Sequence, residues 1–114
     1  MRVTTDFWVA ALVRRVFASG GFAAVVKRGA TEAGAVFVLT RGRLGEVALF
    51  GPAPQTSYDS AKPEDRFFSP IGEGTDSEAL EKRLEREQRF DPDIWVVEIE
   101  AGAVSLEELI SISR

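Results

Sequence analysis

The chain has 114 residues and contains neither histidine nor cysteine, so its chemistry rests on carboxylates, hydroxyls, amines, guanidinium groups and one tyrosine. That excludes Ser-His-Asp and Cys-His nucleophiles, thiolate chemistry and the Cys/His zinc sites. The basic residues fall in pairs: Arg14-Arg15, Lys27-Arg28, and Arg41 with Arg43. Gathered on one surface, they would form an anion site, because guanidinium groups bind phosphate through paired hydrogen bonds. A second polar cluster, Gln55, Tyr58 and Asp59 with Arg66 following, lies in a proline-rich stretch and is a candidate ligand loop. A carboxylate-dependent enzyme would use Asp59, Asp65 or Glu46 as acid or base, with an arginine as electrostatic stabiliser. Such a carboxylate needs burial or a like-charged neighbour to work near neutral pH.

Each of these has a plainer reading. Aromatic residues interleaved for base stacking are missing near the basic pairs, and the sequence pI of about 4.9 is opposite to a nucleic-acid footprint. A solvated basic face is therefore preferred to binding of RNA or a phosphorylated ligand. Tyr58 can anchor its loop and Asp59 can cap a turn. Asp91-Pro92-Asp93 lacks a calcium-loop spacing and suffices as a helix stop. Neither phosphate-loop glycine pattern occurs, so the glycines serve caps and turns. No cofactor and no metal are expected.

The elements that must position these residues follow from pattern. Residues 6–18 form a helix capped by Thr4 or Thr5 and ended by Gly20-Gly21. Its broad apolar half holds Trp8, Val9, Leu12, Val13, Val16 and Phe17; Phe7 breaks the pattern on the other side. Residues 22–28, 35–41 and 46–50 read as strands joined by short glycine-containing links, which argues for antiparallel neighbours. Residues 66–71 return as an edge strand, since Pro70 cannot donate to a ladder. Thr75-Asp76-Ser77-Glu78 is a capping box opening a second helix, with a narrow stripe of Leu80 and Leu84 and a stop at Asp91-Pro92. Residues 94–100, IWVVEIE, are apolar on both faces and belong inside the sheet. Ser105 to Glu108 is another capping box and starts a short terminal helix with Leu106, Leu109 and Ile110.

The expectation is one α+β domain over residues 1–114. It has a mostly antiparallel sheet of about five strands, two main helices and a short C-terminal helix. The apolar stretch at residues 7–13 is too short to span a membrane and lies before its basic residues, unlike an export signal, so a cytoplasmic protein without a membrane partner is expected. The net charge of −4 is unevenly divided: residues 1–57 carry seven basic groups against three acids, residues 58–114 seven against fifteen.

The blocks FWVAALVRRV, GGFAAVVKRG, EAGAVFV, GPAPQTSYD and RFDPDIWVVEIE, in this order, resemble a family of small alphaproteobacterial proteins, domain-of-unknown-function family 1491. The resemblance covers about residues 2–100. It implies a bacterial, stand-alone, cytoplasmic protein and brings no activity, cofactor or site residue with it.

Taken together, these readings favour a non-catalytic binding or interaction module that self-associates or meets a protein partner. Phe7 is the expected interface anchor, with Leu106, Leu109 and Ile110 extending its patch across a two-fold axis. Convergent basic groups would instead favour the anion binder, and a buried carboxylate pair the enzyme.

Overall fold

The first helix owes its start to one carboxylate and one loop. Asp6 Oδ1 accepts from the Phe7 N–H (2.8 Å) and from the Thr4 hydroxyl (2.7 Å). The leading N–H groups of Thr5 and Asp6, which have no partner inside a helix, donate to Glu32 O and Thr31 O. Thr5 is fully buried because its hydroxyl donates to Gly34 O at 3.0 Å. In this computed structural model, which describes residues 3–54 and 66–113, the helix α1 spans Thr5–Ala18. Val9, Leu12 and Val16 form its buried stripe.

Six strands form one sheet: β1 (Phe22–Lys27), β2 (Val36–Arg41), β3 (Val47–Pro52), β4 (Phe67–Gly74), β5 (Trp95–Glu100) and β6 (Ser111–Ile112). Their order is β1-β5-β2-β3-β4-β6. The expected direct pairing of β1 with β2 does not form; β5 lies between them, antiparallel to β1 and parallel to β2. Burial explains the insertion. Segment 94–99 sends Trp95, Val97 and Ile99 into one core and Ile94 and Val96 into the other. An interior position removes both faces from water, whereas β1 buries only Ala23 and can be left outside.

The helices cover opposite faces. On one side α1 and the short α3 (Leu106–Leu109) pack over Val36, Val38, Phe50, Phe68 and Trp95. On the other, α2 (Ser77–Phe90) lays Leu80 and Leu84 over Phe37, Leu39, Val47 and Leu49. The α+β class with a mostly antiparallel sheet is as the sequence indicates, with β6 as a sixth strand. That strand pairs with Phe67 and Phe68 of β4 only, so Pro70 lies past its reach.

Two capping boxes need correction. Asp76, not Thr75, caps α2 by accepting from the Ala79 N–H, and Ser105 makes no side-chain cap bond. Within α2, Arg83 and Glu87 form an ion pair one turn apart, at 2.9 Å.

Candidate interaction surface

The six basic candidates do not meet. β1 runs antiparallel to β5, which puts Lys27 and Arg28 at the Trp95 end of the sheet. Arg41 and Arg43 lie at the opposite end, on the β2–β3 hairpin whose Gly45 adopts φ +84. Arg14 and Arg15 lie on α1, over the face opposite α2.

Most of these cations also have work inside the fold. Arg15 Nη2 donates to Leu109 O at 2.9 Å, tying α3 to α1. Lys27 Nζ donates to Pro92 O (2.7 Å), Ile94 O (2.9 Å) and Arg28 O (3.3 Å), and so clamps β1 to the start of β5. The Arg28 guanidinium lies 4.8 Å from the Trp95 ring centroid, a cation–π contact. Arg41 Nε donates to Glu98 Oε1 at 2.9 Å, with Glu81 of α2 at 3.6 Å. The Glu98 hydrogen bond pushes the Arg41 pKa above its ordinary value, against a smaller opposing effect of burial. Arg14 and Arg43 are exposed. The basic pairs are adjacent in sequence and separated in space.

The expected interface of α3 also changes. Leu109 and Ile110 are buried in the core shared with α1, and Leu106 packs half-buried against it. Their apolar surface is spent within the chain because β6 draws the tail onto β4, where the Ser113 N–H donates to Phe68 O. Phe7 is exposed as expected, at 59%. It stands two turns before Arg15, the residue that reaches α3.

The polar loop candidates Gln55, Tyr58 and Asp59, with Asp65, lie outside the described residues. Arg66 is described: its Nη2 donates to Thr5 Oγ1 at 2.6 Å, and its guanidinium lies 5.5 Å from the Trp8 ring centroid. Glu46 accepts from the Leu44 N–H within its hairpin, and Asp91 from the Asp93 N–H. Both carboxylates serve turns. Among the described residues no group of acids is placed to hold a metal ion, and no helix is long and apolar enough to cross a membrane.

What sequence reasoning missed is the outer edge of β1. Phe22 (48% exposed), Val25 and Val26 (62%) lie on this terminal strand of the sheet, and Phe17 of α1 (50%) meets Phe22 edge to face with ring centroids 5.6 Å apart. The signal was present: residues 22–26 carry no charge, and only the wide arc assigned to α1 hid Phe17. Beside Phe22 lies an open groove of about 230 Å³, lined by Gly21, Gly102, Arg43 and Glu100 among others. That is below the roughly 300 Å³ at which small-molecule pockets begin. Gly21 and Gly102 are there for backbone proximity, since a Cβ on Gly102 would collide with the main chain of Ser19, Gly20 and Gly21.

Comparison with known proteins gives a consistent picture. The family described as "Protein of unknown function (DUF1491)" matches residues 3–106. The solution structure of protein Atu0922 from A. tumefaciens is 46% identical, with a TM-score of 0.83 over 98% of this chain and 95% of that one. A crystal structure of a DUF1491 family protein from Caulobacter crescentus CB15 is 36% identical, with a TM-score of 0.77 over 97% of this chain and 99% of that one. An NMR structure of a DUF1491 family protein from the same organism is 36% identical, with a TM-score of 0.78 over 100% and 99%. No curated protein matches the chain.

Proposed function

Because the chain belongs to the DUF1491 family, whose description carries no activity, we propose from its own geometry that it is a non-catalytic protein-interaction module working through the β1 edge. One observation carries this reading. Phe22, Val25 and Val26 are exposed on a strand with no neighbour on its outer side among the described residues, and Phe17 of α1, also exposed, packs against Phe22. Scattered single apolar residues need no explanation, but several exposed along one free strand edge support a contact surface. A free strand edge also offers unpaired N–H and C=O groups to an incoming strand, so the ladder supplies affinity and the side chains selectivity. The dispersal of the basic groups and the turn duties of Glu46 and Asp91 give the anion-binding and enzymatic alternatives no comparable support.

Photo-crosslinking in native cells tests the reading. A photoreactive residue in place of Val26 should give covalent protein adducts, and one in place of the solvent-facing Glu85 of α2 should not. A Val26 probe that gives no adduct above the Glu85 background would overturn it.

A further inference from the structure

The groove beside Phe22 has a place in the topology that the β1 edge does not account for. It lies outside the carboxyl ends of the parallel neighbours β2 and β5. After Arg41 the chain turns from β2 toward β3. After Glu100 it leaves β5 in the other direction, where the Ala103 N–H donates to Ser19 O at the end of α1. Exits that part in this way leave a crevice at the end of a sheet, for the same reason that such crevices hold small ligands in open α/β sheets. Much of the wall is glycine (Gly20, Gly21, Gly42 and Gly102), so main-chain groups are reachable there.

We propose that this groove binds a free α-amino acid with an apolar side chain, its carboxylate on Arg43, its ammonium on Glu100 and its side chain against Phe22. The proposal does not rest on the interaction reading above. Arg43 and Glu100 both line the groove, both are exposed, and neither has a salt-bridge partner among the described residues. Opposite charges that share one groove yet stand too far apart to pair leave a gap that a zwitterion closes from both sides with charge-assisted hydrogen bonds. Arg41, the other cation at the groove, is already neutralised by Glu98 and Glu81. A phosphate or dicarboxylate would face Glu100 without compensation, and a polyamine would face Arg43. Phe22 supplies the apolar side, being half exposed and directly opposite Glu100 in the β1–β5 ladder. At about 230 Å³ the groove is small for a drug-sized molecule but has room for a single amino acid. Both charges are exposed, so each ion pair contributes little and binding is weak, in the millimolar range.

Titration of the isotope-labelled protein with L-leucine, followed by amide NMR, tests the assignment. The amide signals of Phe22, Arg43, Glu100 and Gly102 should shift together and saturate, and that of Glu85 on α2 should not move. L-Leucinamide lacks the carboxylate and N-acetyl-L-leucine lacks the ammonium; each should bind about fivefold more weakly, the range of one exposed ion pair. Glycine, which has both charges and no side chain, should also bind more weakly than leucine. Arg43→Gln should erase the preference for leucine over its amide and keep the preference over N-acetyl-leucine, and Glu100→Gln should do the reverse. Both positions are exposed, so both variants should fold as the wild type does, which circular dichroism checks. The absence of any saturable shift at the groove overturns the proposal. So does equal binding of leucine, its amide and its N-acetyl form, which would reduce the groove to an apolar contact at Phe22.

Discussion

The rings of Phe17 and Phe22 meet at 80° across the Gly20-Gly21 turn, and each is about half exposed. This pair stitches the end of α1 to the start of β1 at the rim of the sheet, outside either core. Its truncation should therefore cost little stability. Phe17→Ala should lose about 1 kcal/mol, the scale of an aromatic pair, whereas Leu12→Ala, fully buried on the same helix, should lose about 2–5 kcal/mol. Urea denaturation of the two variants checks the contrast. Equal losses would place Phe17 inside the core.

Trp95 is the largest fully buried side chain, and its indole N–H donates to Ala30 O at 2.8 Å while Arg28 covers its ring. Trp95→Phe keeps an aromatic ring but removes that hydrogen bond and part of the volume. A loss of about 1–3 kcal/mol is expected. The same change at half-buried Trp8 should cost less. Chemical denaturation of both variants measures the difference.

How much of this was legible from residues alone depended on whether the cue was local. The IWVVEIE run placed β5 inside the sheet because two-sided apolarity states burial directly. Its insertion between β1 and β2 was hidden, because short links argue for neighbours while burial demands, which reach across the chain, decide the order. A helical wheel gives the angle of Phe17 around α1 but not its height along the axis, so its place beyond the sheet rim went unseen. The paired arginines and lysines were the weakest cue: strand direction sends Lys27 and Arg41 to opposite ends of the sheet. The tail misled for a related reason. Leu109 and Ile110 are apolar because β6 returns them to the core, a pairing two residues long that no pattern announces.

The Arg41–Glu98 bond gives a pH expectation with a definite sign. Glu98, as hydrogen-bond partner first and charge second, raises the Arg41 pKa above its unfolded value. The stability this contributes is fully present below the ordinary arginine range and is lost only as pH climbs through the still higher folded value. Melting followed from about pH 7 to about pH 10 should show no step that disappears in Arg41→Met, because arginine stays charged throughout. Both side chains are partly exposed, so Arg41→Met should cost about 1 kcal/mol or less. A larger cost would mean that Arg41 also holds α2 through Glu81.

The last expectation separates the two apolar groups first assigned to one interface. Leu109 is 6% exposed within the core of α1 and α3, and its carbonyl holds Arg15. Phe7 lies at 59% exposure on the outer side of α1. Leu109→Ala should therefore destabilise by about 2–5 kcal/mol through lost burial and a residual cavity. Phe7→Ser should change stability by no more than about 0.5 kcal/mol, as surface substitutions do, and should leave any dimer of the wild type intact. Thermal unfolding and sedimentation of the two variants read both effects. A Phe7→Ser protein that folds normally but no longer self-associates would move the contact from the β1 edge to the face of α1.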